Sequence, residues 1–189
     1  VDDLKVAGER LVVLRIMKAI EKVFGEMKID WNTFIDGGIR HIQDLRTKEI
    51  SLDQTEYIQG LQTIPHASIK GLSSNSVCAP ALHLLYQSLL GAVAYTGMTR
   101  VDVIVFIVAL QRHSHASEVI HVKRLNALVR WMQANPRKIM YRKFPDTTKM
   151  HVKIIADSSF KKEETKGHSL RGMLVLLCSG DKNEQGGVC

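Results

Sequence analysis

The residues of this chain that could do chemistry begin with an acidic pair and one later aspartate. Asp2 and Asp3 lie between apolar residues, a pattern that suits the tip of a β-hairpin, and Asp157 follows a predicted strand. Carboxylate oxygens are the ligands that hard cations prefer. Each pattern is also commonplace, because adjacent acids often form an ordinary turn and an aspartate often ends a strand.

Histidines and cysteines are the next candidates for a chemical role. His113, His115 and His121 are close in sequence, but they do not share a helical face at i, i+4 spacing. We therefore do not predict a metal site there. The 3 cysteines are widely spaced and form no CxxC pair. This spacing predicts neither a disulfide framework nor a zinc site, and it favours a reducing compartment.

The positive charge of the chain is concentrated between residues 119 and 145. The chain has 26 basic and 19 acidic residues, a net charge of +7. This basic block contains no acidic residue, and Trp131, Tyr141 and Phe144 lie within it. Clustered cations bind phosphates and aromatic faces stack on bases, so the block predicts a nucleic-acid-binding surface. The alternative is a solvated basic face that serves solubility alone. Its members are Lys123, Arg124, Arg130, Arg137, Lys138, Arg142 and Lys143.

Length and composition restrict the class of protein. The chain has 189 residues, of which 45% are hydrophobic and 24% charged. These values are typical of a folded globular protein and exclude a collagen, a disordered tail and a disulfide miniprotein. The longest apolar stretch, residues 103–110, is far shorter than the roughly 20 residues of a membrane-spanning helix.

The first half of the chain predicts a helix and short strands. Apolar periodicity predicts an amphipathic helix over residues 9–24, ended by Gly25. Two short strands are predicted between residues 38 and 52. Asp53 then resembles the N-cap of a short helix, with Glu56 completing a capping box. Residues 63–80 contain prolines, a glycine and several serines, which predicts a long loop or linker.

Three helices and further strands are predicted in the second half. The helices cover residues 82–96, a segment capped by Thr99, and a segment from Ser117 to about Gln133. The apolar run of the second is also compatible with a strand, but its length and its cap favour a helix. Strands are predicted at residues 138–144, 152–156 and 173–177.

Four side chains of this region have more than one interpretation. Trp131 is predicted to pack in a helical core rather than to stack on a base, because it lies near the apolar stripe. Tyr86 is predicted to be a core residue. Arg100 either contacts phosphate or faces water at a helix start, and Asp102 is predicted to be a charge at a helix terminus rather than a ligand.

A series of short motifs runs along the chain in a fixed order: Val1-Asp2-Asp3-Leu4, Phe34-Ile35-Asp36-Gly37-Gly38-Ile39, Ile50-Ser51-Leu52-Asp53-Gln54, Tyr57-Ile58, Tyr86-Gln87-Ser88-Leu89-Leu90-Gly91-Ala92, Thr99-Arg100-Val101-Asp102, residues 125–131, Ala156-Asp157-Ser158-Ser159 and Ser169-Leu170-Arg171-Gly172. The order and spacing of these motifs resemble the reverse transcriptase and ribonuclease H region of copia-type LTR retrotransposon polyproteins. The resemblance covers nearly the whole chain. Two departures occur: Val101 stands where the family usually has proline, and a double glycine replaces a single one, which leaves one hairpin register open.

The resemblance implies an α+β fold in four segments. Residues 1–62 would be the C-terminal half of a polymerase palm, made of β-hairpins and a helix. Residues 63–81 would be a linker or long loop, and residues 82–135 a helical thumb and connection. Residues 136–189 would be the truncated start of a ribonuclease H-like domain.

The resemblance also implies RNA-directed DNA polymerase chemistry, in which two Mg²⁺ ions, or Mn²⁺ in their place, promote nucleotidyl transfer. Asp2 would be the principal metal ligand, Asp3 the auxiliary one, and Asp157 the first carboxylate and metal ligand of the ribonuclease H site. Implied partners are an RNA template, a DNA primer, an RNA/DNA hybrid, dNTPs and the rest of the polyprotein, with no membrane. The implied location is the cytoplasm, in virus-like particles there, or the nucleus.

The same resemblance limits what the chain is expected to do alone. It places a further aspartate on an earlier strand and another acid in a downstream helix. We therefore expect the isolated chain neither to polymerise nor to cleave nucleic acid. The alternatives are a non-catalytic nucleic-acid-binding remnant, which the basic block favours, and a protein-interaction domain without a ligand.

Overall fold

The computed structural model describes residues 4–144, 150–160 and 169–179. Helices and small antiparallel sheets both occur, which confirms the α+β class. The chain divides into two compact units. The first comprises Val1–Gln43 and Ser51–Ile139, and the second comprises Asp44–Ile50 and Met140–Cys189. The predicted segment boundaries at residues 62, 81 and 135 remain predictions.

The first helix, α1, spans Arg10–Phe24 and agrees with the prediction. It ends where Gly25 takes a φ of 90°, a left-handed conformation that glycine adopts without steric cost. Although the helix is amphipathic, Val13 is its one buried residue. The Arg10 guanidinium lies 5.3 Å from the centre of the Trp31 ring.

A tight hairpin follows α1. Strand β1, Thr33–Asp36, pairs antiparallel with β2, Ile39–Gln43, so that Asp36 lies opposite Ile39. Gly37 and Gly38 have φ values of 55° and 76°, as a type I′ turn requires, and this settles the register that the double glycine left open. Strand β3, Ile50–Asp53, follows β2 in the sheet.

The short helix α2 spans Thr55–Gly60, but the predicted capping box is wrong. The N-cap is Gln54, whose side chain makes no cap hydrogen bond because it is buried and accepts the hydroxyl proton of Thr99. The Asp53 carboxylate instead accepts the backbone N–H of Thr55 at 2.7 Å. Glu56 pairs with Arg40 at 2.6 Å rather than reaching back to the cap.

Three helices form the core of the first unit, as predicted. Helix α3 spans Pro80–Thr96, α4 spans Ile104–Gln111 after a 3₁₀ turn at Val101–Val103, and α5 spans Val119–Ala134. The apolar run in α4 is therefore a helix and not a strand. The fully inaccessible side chains come from α3, the 3₁₀ turn and α5: Tyr86, Val93, Val103, Val122, Leu125 and Val129. Tyr86 is thus a core residue, as predicted.

The loop between α2 and α3 takes part in this core. Ile64, Ile69 and Cys78 are buried in the same cluster as α3 and α5. The Asn126 side chain accepts the backbone N–H of Ile64 and donates to its carbonyl, at 2.9 and 2.8 Å. Two hydrogen bonds from one buried amide therefore fix the start of the loop against α5.

The predicted caps of α4 and α5 are both wrong. Thr99 is buried and donates to Gln54 Oε1 at 2.7 Å, so its hydroxyl does not cap a helix. Ser117 is also buried, and its hydroxyl lies 2.8 Å from His83 Nδ1. The N-cap of α5 is Glu118, one residue later. In each case a tertiary hydrogen bond engages the hydroxyl that the local sequence assigned to the helix end.

The second unit contains a long antiparallel ribbon. Strands β5, Met150–Phe160, and β6, Ser169–Ser179, pair over their full length, with Ala156 opposite Met173. The two predicted strands are confirmed and are longer than expected. Strand β4, Ile139–Tyr141, is shorter than the predicted 138–144. The ribbon exposes apolar side chains at successive positions, for example Ile154 and Ile155.

Candidate nucleic-acid interface

The three carboxylates predicted to be catalytic are not brought together among the described residues. Asp2 and Asp3 lie outside them. Asp157 lies within β5 rather than after it, opposite Gly172, and is exposed. Residues 4–144, 150–160 and 169–179 contain no group of three His, Cys, Asp or Glu side chains that could hold a metal ion. Asp157 alone does not provide the ligand set that Mg²⁺ requires, so no catalytic step can be derived from it.

Three bases of the predicted nucleic-acid surface lie on α5, which carries no acidic residue. Lys123 donates to the Ser74 hydroxyl at 2.9 Å. Arg124 and Arg130 are exposed, and neither has a carboxylate partner in the described part of the chain. Lys123 and Arg130 are seven residues apart and therefore lie on one flank of the helix. The helix thus keeps an uncompensated positive charge.

The other four bases of the block lie in different surroundings. Arg137 is 63% exposed, with its Nε 3.8 Å from an Asp102 carboxylate oxygen. Lys138 follows in the same unit and is exposed. Arg142 and Lys143 belong to the second unit and are exposed. The continuous block in sequence is therefore divided between the two units, and three of its members lie on one helix, α5.

Arg100 has a role that neither sequence interpretation anticipated. It is fully buried, and it donates from Nε and Nη2 to the two carboxylate oxygens of Asp102, at 2.9 and 3.1 Å. It also reaches the carbonyl of Met132 at the end of α5. The Arg100 hydrogen bonds lower the pKa of Asp102, against the opposing effect of burial. Asp102 is therefore the counterion of a buried guanidinium, not simply a helix-terminus charge.

Trp131 is not a core residue, which corrects the prediction. Its side chain is 43% exposed, and the Arg100 guanidinium carbon lies 5.4 Å from its ring centre. This arrangement is a cation–π contact in which the cation is already buried and paired. Helix α5 packs against α2, α3 and α4, and the indole lies outside the surface that these contacts bury.

An open groove runs between α4 and α5, with a volume of about 720 Å³. Phe106 and Leu110 line it from α4, and Leu128 and Trp131 line it from α5. Arg124 also lines it and supplies the charge in an otherwise apolar wall. In the sequence, the helical spacing of residues 124, 127, 128 and 131 was the available signal for this wall. The charge pattern of the same segment does not predict an apolar wall.

Two histidines stack against each other in the wall of the groove. The rings of His113 and His121 are nearly parallel, with centres 3.7 Å apart. His121 Nδ1 accepts the backbone N–H of Glu118 at 3.0 Å, and the Glu118 side chain caps the helix in return. Burial is the main cause that lowers the pKa of both histidines, and each is further lowered by nearby positive charge. Burial and these charges therefore favour the neutral form of both rings.

Comparisons with other proteins add no family to these observations. No helix in the described ranges is long and apolar enough to cross a membrane. No family model matches the chain, and no match was found among curated proteins or solved structures. The geometry of α5 and its groove is therefore the basis for a functional interpretation.

Proposed function

We propose that this chain is a nucleic-acid-binding segment of a copia-type reverse transcriptase, extending from the palm through the thumb into ribonuclease H. In this proposal its ligand is an RNA/DNA hybrid. Asp2, Asp3 and Asp157 are ligands for Mg²⁺ or Mn²⁺ only in the complete enzyme, where template, primer and dNTPs also bind. The isolated chain binds without polymerising or cleaving.

The observation that carries the proposal is the uncompensated charge on α5. A helix with three bases and no acid attracts polyanions, because binding releases the counterions that surround the phosphates. Arg124 and Arg130 are exposed and have no carboxylate partner in the described ranges, so phosphate contact breaks no existing ion pair. A basic face that serves solubility alone is the alternative.

The order of the elements supports the ancestry in this proposal. A helix precedes a glycine-turned hairpin, three packed helices follow, and an antiparallel ribbon carries Asp157. The motifs Phe34-Ile35-Asp36-Gly37-Gly38-Ile39 and Ala156-Asp157-Ser158-Ser159 lie in this hairpin and this ribbon. The resemblance concerns order and residue type, and a binding measurement does not depend on it.

Charge reversal on α5 tests the binding. We expect Arg124→Glu with Arg130→Glu to weaken binding of a labelled RNA/DNA hybrid in fluorescence anisotropy. The slope of log affinity against log salt should fall by about 0.9 for each phosphate that the variant no longer neutralises. The matched control is Lys18→Glu with Lys22→Glu, which makes the same charge change at exposed positions of α1. Equally weakened binding in both variants would mean general charge attraction and would contradict a surface on α5.

A primer-extension assay tests the expectation that the isolated chain does not polymerise DNA. We expect no Mg²⁺-dependent extension of a primer by the isolated chain. Extension that disappears in an Asp2→Asn, Asp3→Asn variant would show that the chain is a polymerase by itself and would overturn that part of the proposal.

A further inference from the structure

We propose that the groove between α4 and α5 holds an unpaired nucleobase of single-stranded nucleic acid, with an adjoining phosphate at the Arg124 guanidinium. This inference rests on the proposed nucleic-acid binding and adds a second mode to it, one that recognises base faces rather than phosphates alone.

Two aromatic rings of the groove remain accessible. Phe106 is 57% exposed and Trp131 is 43% exposed, and both line the same opening. Large aromatic side chains normally bury most of their area or form a contact surface. The faces of a nucleobase stack on such rings without regard to sequence. The buried Arg100 beside Trp131 holds the indole in place, so stacking restricts little further side-chain freedom.

The charge of the groove is complementary to a nucleotide. Arg124 is the arginine among the described residues that line it, and burial favours the neutral forms of His113 and His121. A nucleotide offers the matching parts, a flat base with apolar faces and an anionic phosphate. Lys123 and Arg130 lie on the same acid-free helix and provide cations for neighbouring phosphates.

The groove favours unpaired bases over paired ones. In a duplex each base face is covered by its neighbours in the stack, and only base edges and the backbone face the protein. In a single strand the bases turn outward and their faces become available. The apolar wall formed by Phe106, Leu110 and Leu128 offers a base face a surface that it would otherwise expose to water.

Fluorescence of Trp131 provides the direct test. In a Trp31→Phe background Trp131 is the remaining tryptophan, because the chain has 2. We expect oligo-dT to quench its emission and to bind about 5- to 100-fold more tightly than an abasic strand of the same length and charge. Trp131→Leu should reduce that ratio to near one, and Trp131→Tyr, which keeps a ring, should restore most of it. Equal affinity of oligo-dT and the abasic strand for the Trp31→Phe protein would overturn the inference.

Two further variants keep the test informative if Trp131→Leu disturbs Arg100. Phe106→Leu changes a ring that is 57% exposed, and it should lower the same affinity ratio. Arg124→Gln should lower the salt slope for oligo-dT by about 0.7, the value for one phosphate of a single strand. An unchanged ratio in Phe106→Leu together with an unchanged slope in Arg124→Gln would contradict the groove as the site.

The outcomes also separate this inference from the proposed function. Suppose that charge reversal on α5 does not weaken hybrid binding, while oligo-dT still binds more tightly than the abasic strand. That result would contradict the proposed binding of a hybrid by α5 and support the groove as a base-binding site. If hybrid binding depends on Arg124 and Arg130 but oligo-dT and the abasic strand bind equally, the proposed function is supported. The groove is then not a base-binding site.

Discussion

Apolar side chains are buried in the three-helix core of the first unit and exposed along the β5–β6 ribbon of the second. Leu125 in α5 is fully buried, whereas Leu177 in β6 is 46% exposed. The helices close on one another and on the loop before α3. Along the ribbon, neighbouring residues such as Ile154 and Ile155 point to opposite faces and both remain exposed, at 61% and 49%.

This difference shows where each region obtains its stability. Burying a large aliphatic side chain contributes about 1.5–3 kcal/mol, and the helical core contains many such side chains. A two-stranded hairpin is marginal in water unless its apolar face packs on something. We therefore expect the helices to be the stable element and the ribbon to gain order when its faces are covered. Four substitution experiments test this contrast, in order of decreasing effect.

The largest effect is expected at the buried ion pair of the helical unit. Asp102→Ala leaves the fully buried Arg100 without its counterion, which should cost about 3–5 kcal/mol of unfolding free energy in urea titrations followed by circular dichroism. Arg137→Ala removes a partner 63% exposed and 3.8 Å away, and it should cost less than about 1 kcal/mol. Similar costs in the two variants would show that Arg100 is not held by Asp102.

A matched pair of leucines compares the two regions directly. Leu125→Ala creates a cavity in the closed core and should cost about 2–5 kcal/mol. Leu177→Ala removes a half-exposed side chain and should change stability by about 0.5 kcal/mol or less. Hydrogen exchange measured by mass spectrometry should likewise protect α5 more than β6. A larger cost at Leu177 than at Leu125 would reverse the contrast.

A glycine substitution tests the β1–β2 hairpin, which Tyr95 of α3 contacts at Gly37. Gly37 has a φ of 55°, and an added Cβ would lie 2.8 Å from the hydroxyl oxygen of Tyr95, which donates to the Gly37 carbonyl. Gly37→Ala should therefore cost about 1–2 kcal/mol in thermal or urea unfolding. Gly60→Ala is the control, because its Cβ would meet nothing within 4 Å and its φ is not left-handed. Equal effects would mean that Gly37 has neither the left-handed conformation nor the Tyr95 contact.

The smallest effect is a pH dependence that belongs to the helical unit. His113 and His121 have lowered pKa values in the folded state, chiefly through burial, so the unfolded chain binds protons first as the pH falls. Their contribution to stability is complete above about pH 6.5, the usual pKa of histidine, and is lost as the pH falls through the lower folded values.

A double substitution isolates that contribution. The His pair faces Glu118, whose charge favours protonation, and Arg112, His115 and Arg124, whose charges oppose it. His113→Gln with His121→Gln should flatten the stability profile below about pH 6.5, measured by urea unfolding at each pH. A profile as steep as that of the unchanged protein would place the titrating groups elsewhere.

Much of the local structure was predictable from the sequence. Periodicity predicted the limits of α1 and the presence of the three later helices and the two ribbon strands. The reason is that a helix or strand that buries one face repeats its apolar residues at a fixed interval. The Gly37-Gly38 turn is equally local, since only glycine adopts two successive positive φ values at low cost. The predicted capping residues were wrong for two reasons. Tertiary partners hold the hydroxyls of Thr99 and Ser117. The helix after Asp53 begins one residue later than predicted, so Gln54 is its N-cap.

Some features of the candidate site were likewise predictable from the sequence, and others depended on the tertiary structure. The sequence by itself determined the α+β class, the concentration of charge in residues 119–145 and the absence of acid from α5. Only the tertiary structure decided that Arg100 is buried against Asp102, that Trp131 is exposed, and that α4 and α5 leave a groove beside Arg124. The physical reason is that charge and periodicity are properties of one segment, whereas burial and pairing depend on which segments meet.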